Sequence, residues 1–462
     1  MKTENEFLRL LAYYTEEYDL TPEEISILQG AKHTVKIPKN KINAKFKWLV
    51  QKDKKTLKLI HPDVDTATEL CYLYLDNFKA THIIAEKATD YMTSLGYKII
   101  NAEESRKKMS QYKRVQDFLI KHNIIEKSDR GYVKGVRSTE FRLTEKYFFC
   151  GKETYTLETR YVRAKRTGTF NENMKRLFSS EIGRNSFRIS HYLTFPSEEE
   201  VLAKLREVAS VGTFRNKKGK LLIEIPKGHS KKEASYDPKK YCFVHEYLEI
   251  FKQVRDTIKT PIVKDGNSGG RVYDNFNMMP RVLRPLIKLN GRPIVECDYS
   301  CLHPNIATQA KYGGFNIEGI THDKVAQELY GVKPADVDYK QKRSRVKKAH
   351  LSYFNMKWMD MVTNHKELHA YYMQKEPNMM HYLKIEKLRE PKNKKDAPHK
   401  DTSKRLFTDE TTLMTNVIKE LLGDGIEVAY CFDALYCNPE DEEIVREVMN
   451  AEASKMGIKT TA

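Results

Sequence analysis

The chain is 462 residues long, with 81 Lys plus Arg against 63 acidic residues, a formal charge of +18 and a pI near 9.2. That length leaves room for two or three domains with ample core and excludes a scaffold that needs staples, while the basic excess favours a polyanionic partner, nucleic acid first. No stretch approaches the ~18 consecutive apolar residues of a membrane span, and seven scattered cysteines make neither a disulfide framework nor a C-x-x-C zinc pattern.

Taken in order, residues 1–108 show helical patterning, with Phe7, Leu8, Leu10, Leu11 and Tyr14 on one face. The start is charged and amphipathic, without the order of a secretion signal, so a cytoplasmic protein with reduced thiols is expected. In 109–150 an amphipathic helix (Val115, Phe118, Leu119) ends near His122. A strand then begins at Ile124–Ile125, turns at Asp129-Arg130-Gly131 and returns to Leu143. A helix followed by a basic two-stranded wing resembles a winged-helix unit. Its Arg130, Lys134, Arg137 and Arg142 suit phosphate contacts.

Residues 151–264 are strongly basic and mix Arg160, Arg163, Lys165, Arg166 and Arg188 with Tyr155, Tyr161, Phe170, Phe178 and Phe187, a pattern that can track a phosphate backbone and stack bases. Helices are expected over Glu198–Ala209 and Tyr241–Ile258. The run Asp265-Gly-Asn-Ser-Gly-Gly270 reads as the linker into a last domain, 265–462.

That domain opens with Arg271 and then a short apolar strand, Pro293-Ile-Val-Glu-Cys297, which delivers Asp298 at its end. A carboxylate at the end of a buried strand is costly without a cation, so the position asks for a metal ion or a base. A short helix stops at Gly331. A second, Gln341–Phe354, carries Arg343 and Lys347 four apart, on one face, as a triphosphate requires. The polar segment 387–405 reads as a loop, Asp409–Leu422 as an amphipathic helix, and Ile426–Cys437 as a hairpin with Asp433 at its tip, before a closing helix from Asp441.

The order GRVY, VECDYS, R-x-x-x-K, FDALY resembles the polymerase core of family A DNA polymerases and their relatives, the single-subunit phage-type RNA polymerases, over roughly residues 264–458. The resemblance implies an α+β fold with a right-hand palm built on an antiparallel sheet and helical fingers, the region before it being thumb-like. It implies Asp298 and Asp433 as catalytic carboxylates that hold two Mg2+ ions, with Mn2+ as a substitute and the Tyr299 carbonyl as a further ligand. Arg343, Lys347, Tyr299, His303 and Tyr353 would meet the nucleotide, and Arg271 the primer or template. The implied partners are a nucleic-acid template with or without primer, nucleoside triphosphates and other replication proteins, in a bacterial or phage-infected cell. A primase or RNA polymerase, or a non-catalytic DNA-binding initiator, are the competing expectations. The chain departs from the family's pattern where Phe432 replaces a His, where His303 stands at the spacing of a sugar-sensing Glu, and where Asn355 stands at the spacing of an aromatic.

Overall fold

The computed structural model describes the chain except residues 1, 40, 79–96, 101, 130–138, 149, 151, 217–218, 227, 230–233, 238–239, 258–259, 265, 316–317 and 393–396. It is a mixed α+β protein with small sheets, divided into two compact units that the chain enters more than once. The first comprises Met1–Phe178, Leu193–Pro261 and Asp274–Lys288; the second comprises Ser179–Tyr192, Ile262–Tyr273 and Leu289–Ala462.

In the first unit, helix Lys2–Tyr18 buries Phe7, Leu10, Leu11 and Tyr14, and Tyr14 stacks on Phe178 of helix Arg160–Phe178 with ring centroids 4.3 Å apart. Leu8 is instead 53% exposed, because one residue advances the helix by more than a quarter turn away from that face. Strand Thr34–Pro38 pairs antiparallel with Lys152–Thr156.

Helix Tyr112–Lys121 and the hairpin Ile125–Lys127 with Glu140–Leu143 form as the hydrophobic periods predict, Ile125 opposite Leu143. They do not stand apart as a winged unit. Val115, Phe118, Leu119, Ile125 and Phe141 share one core with Val35, Ile37, Phe46, Leu70 and Leu75, and strand Lys98–Ile99 extends the hairpin into a three-stranded sheet. Arg130, Lys134 and Arg137 lie outside the described residues. Arg142 forms an ion pair with Glu126.

Ser197 caps helix Glu198–Val211 through a reciprocal bond with Glu200. Tyr241–Phe243, expected as the first turn of a helix, is a strand parallel to Leu221–Ile223, as its two aromatics favour; the helix begins at Val244. Of the aromatics interleaved with basic residues, Phe170, Phe178 and Phe187 are core and Tyr161 is exposed, so the stacking track shrinks to its edge.

The second unit is built on a three-stranded antiparallel sheet. Helix α1 (Glu181–Ile189) comes first, then the short hairpin β1 (Ile262–Val263) and β2 (Val272–Tyr273), and then β3 (Val295–Asp298). Helices follow: α2 (Leu302–Ala307), α3 (His322–Tyr330), α4 (Tyr339–Tyr353), α5 (Trp358–Asn364), α6 (Lys366–Lys375), α7 (Pro377–Leu388) and α8 (Asp401–Gly423). Strands β4 (Ala429–Cys431) and β5 (Ala434–Cys437) complete the sheet in the order β3-β5-β4, and α9 (Glu442–Lys455) closes it.

The core of the unit is the apolar stripe of α8, Leu406, Leu413, Met414, Val417, Ile418 and Leu421. Helix α1 also belongs here, its buried Asn185 Nδ2 donating to the Val428 carbonyl at 2.9 Å.

Helix α8 begins at Asp401 and not at Asp409, preceded by a short turn of 3-10 helix at Pro398–Lys400. Lys387 is buried with its ammonium donating to the carbonyls of Phe354 (2.8 Å), Met356 (2.8 Å) and His399 (3.2 Å), so this lysine ties three backbones together where its composition suggested a solvated loop. Burial lowers its pKa to about 8.

Candidate active site

Two aspartates meet at one end of the sheet. β3 and β5 run antiparallel in a register that sets Val295 opposite Cys437 and Asp298 opposite Ala434, which places the last residue of β3 beside the residue just before β5. That residue is Asp433. The Tyr299 N–H donates to the Asp433 carbonyl at 3.2 Å, extending the ladder one step past the strand ends. Cys431 pairs with Ala434, so the β4–β5 connection is the two residues Phe432 and Asp433, and Phe432 takes a φ of +63°. Glycine is usual at such a position in a two-residue hairpin; a phenylalanine there is an outlier of the kind that gathers at functional sites. Asp298 is exposed at the strand end and Asp433 is half-buried.

Behind Asp433 lies a third carboxylate, and the sequence alone did not single it out. Glu410, in the middle of α8, is 1% exposed. Arg271 Nε donates to its Oε1 at 2.7 Å, the second arm of the guanidinium reaches its Oε2, and His303 Nε2 lies 2.8 Å from that same oxygen. The guanidinium lies 3.8 Å from the Phe407 ring centroid and 5.2 Å from that of Phe432.

Burial pushes the Glu410 carboxyl up, but His303 and Arg271 outweigh it and hold the group below its ordinary value. Asp433 moves the other way: burial first, then the Glu410 charge, raise it. The two shifts follow from one arrangement, because Arg271 and His303 bond to Glu410, whose charge in turn raises Asp433. The signal for Glu410 was present in the sequence as a Glu on the apolar face of a strongly patterned helix.

The turn before Arg271 fixes this pairing. Gly269 has φ +63°, and a Cβ there would lie 2.4 Å from the Phe407 carbonyl carbon. The Gly269 carbonyl accepts from Thr411 Oγ1 at 2.5 Å. The expected linker is therefore packed onto α8, within reach of Glu410.

Tyr299 is 3% exposed and its hydroxyl donates to the Met449 carbonyl of α9, so its side chain is structural and its backbone is what the site can use. Arg343 and Lys347 sit on α4 as the spacing requires. Arg343 Nε donates to Asp323 Oδ1 at 2.8 Å, and Lys347 is exposed. Tyr353, expected at the nucleotide, is fully buried, hydrogen-bonded to His369 at 3.0 Å and stacked on Tyr372. Arg271 is engaged by Glu410 rather than presented to a backbone, and His303 turns to the same carboxylate.

The donor set at the strand ends suits a hard divalent cation. Magnesium takes oxygen ligands and needs only one or two protein carboxylates when phosphates supply the rest. All seven cysteines are free thiols, and among the described residues no helix is long and apolar enough to cross a membrane. Comparison of the chain with protein-family models and with curated proteins finds no match.

Proposed function

We propose that the protein is a template-directed nucleotidyltransferase, a DNA polymerase of the family A kind, with Asp298 and Asp433 as its metal-holding carboxylates. The observation that carries this reading is the strand register that brings two aspartates, far apart in sequence, to adjacent strand ends beside the Tyr299 backbone. When bound, two Mg2+ ions would activate the attacking 3′-hydroxyl and stabilise the departing pyrophosphate. Asp298 and Asp433 hold that position, Arg343 and Lys347 offer charge to the triphosphate, and Glu410 with Arg271 and His303 fixes the floor beneath Asp433. Burial and the Glu410 charge both act against the Asp433 carboxylate, and a cation at the strand ends would offset them.

The test is primer extension on a DNA template with Mg2+ and dNTPs. Turnover is expected to fall on the order of 10³-fold in Asp298→Ala and in Asp433→Ala, with template binding retained, because the phosphate contacts come from other residues. Template binding without incorporation in the unaltered protein would favour an initiator that only binds DNA. One observation supports a second product: the position that the resemblance gives to a sugar-sensing Glu is His303, and the carboxylate it meets is Glu410. Parallel reactions with NTPs decide it, a strong preference for NTPs assigning the protein as an RNA polymerase or primase.

A further inference from the structure

Cys301, His322 and His350 come together from three separate elements of the second unit. Each offers a ligand atom within 4.8 Å of the others'. Cys301 Sγ lies 2.9 Å from His322 Nδ1, and the two imidazole rings have centroids 5.3 Å apart. No spacing in the sequence announces the set, since the residues are 21 and 28 positions apart.

The surroundings are those of a ligand set and not of a packed core or a nucleophile. His350 is 6% exposed; its Nε2 faces the Tyr372 hydroxyl at 2.9 Å, and its Nδ1, also buried, has no partner. With the ring proton on Nε2 and donated to Tyr372, Nδ1 keeps its lone pair for a ligand, the arrangement in which metal-binding histidines are oriented by a neighbour. A buried acceptor left unpaired costs about 1–3 kcal/mol.

Cys301 is 7% exposed, enclosed where a nucleophile would have to meet a substrate. Cys301 also takes a left-handed φ of +54°, a conformation that glycine would adopt at less cost. Asn305 fixes the backbone around it, donating to the carbonyls of Cys301 and Ile320 and accepting from the Ile320 N–H.

We propose that Cys301, His322 and His350 form a binding site for a zinc-class divalent cation, with one coordination position open to water. One thiolate and two imidazoles are the donors that favour zinc over magnesium or calcium, and three protein ligands leave the fourth tetrahedral position to solvent. Binding replaces the Cys301 S–H with an S–metal bond and releases that proton to solvent; nothing is oxidised or reduced.

The ligands sit next to the residues of the proposed nucleotide site. Cys301 follows Asp298 by three residues, His322 precedes Asp323, which holds Arg343, and His350 lies one turn beyond Lys347 on α4. The cation would thus link the end of β3 to the helix that carries both cations. These are positioning residues, and the site's existence does not depend on the polymerase reading.

The experiment is cobalt titration of the full chain after chelation. A thiolate-to-cobalt charge-transfer band is expected to saturate at one Co2+ per chain, with the intense visible bands of a four-coordinate ion, and to be displaced by Zn2+. Cys301→Ser abolishes the charge-transfer band and Cys150→Ser leaves it unchanged; His350→Gln and His322→Gln lower the affinity by more than about 10-fold, and Tyr372→Phe by about 10–100-fold. Absence of the band, or its survival in Cys301→Ser, overturns the proposal. Should Cys301→Ser fail to fold, the two histidine variants decide between the same outcomes, and unchanged affinity in both overturns the site. Asp298→Ala keeps the band, so failure here and failure of extension are read apart.

Discussion

At the scale of the residue, Glu410 is a carboxylate buried in the second unit. It is withdrawn from water, and its charge is tolerated because Arg271 and His303 both reach it. Removing one partner of such a pair leaves the other buried and uncompensated, so Glu410→Ala is expected to cost about 3–5 kcal/mol in urea denaturation. The pH dependence has a definite sign. Because the folded carboxyl titrates below its unfolded value of 4.5, its contribution is complete above that value and is lost as pH falls through the folded one. The stability gap between the unaltered protein and Glu410→Gln is therefore expected to be full at neutral pH and to shrink below 4.5; a gap that widens on acidification would contradict the assignment. Asp433, raised by burial and then by Glu410, moves the other way.

At the scale of the element, the glycine turn before β2 shows what the sequence disclosed and what it withheld. Two adjacent glycines read as a linker, and both do take positive φ, +63° at Gly269 and +77° at Gly270. Only the structure separates them. A Cβ at Gly269 would strike the backbone of Phe407 and Thr408, whereas one at Gly270 meets nothing within 4 Å. Gly270→Ala is expected to cost about 1 kcal/mol, the strain of a left-handed alanine. Gly269→Ala adds overpacking against a helix that cannot give way, about 2–4 kcal/mol in all. Equal losses for the two would show that the turn does not rest on α8.

The same division runs through the site. Strand-end aspartates, the cations of α4 and the hairpin around Asp433 were legible, because period-2 and period-3.6 patterns and turn residues are local signals. The partners of those groups were not. Glu410, the true neighbour of Arg271, and the gathering of Cys301, His322 and His350 depend on which elements pack together, and no local pattern encodes that. Tyr353 shows the converse: an aromatic two residues before the motif position is spoken for by Tyr372 and His369 in the interior.

At the scale of the whole molecule, the excess of 18 positive charges is the property most directly open to measurement. If nucleic acid is the partner, binding releases condensed counterions, and the logarithm of the affinity falls linearly with that of salt, by about 0.9 per duplex phosphate contacted. A steep slope is expected for the unaltered protein and the same slope for Asp298→Ala, measured by fluorescence anisotropy with labelled duplex. A slope near zero would remove nucleic acid from consideration. The helix and hairpin of 109–150 share a core with the preceding helices, so they would enter such binding as part of a larger body.

The Asn185–Val428 hydrogen bond, which spans 243 positions, has a consequence for biosynthesis. The sheet that presents both aspartates takes one strand from 295–298 and the other two from 429–437, and it is backed by a helix from the 180s. While a ribosome is still translating residues between 299 and 428, Asp298 ends a strand with no hydrogen-bonding neighbour in that sheet. Contacts of such long sequence separation form late and slowly, so nascent chains carry an unpaired strand edge through most of the elongation of the second unit, the interval in which a chaperone or a bound nucleic acid would matter most.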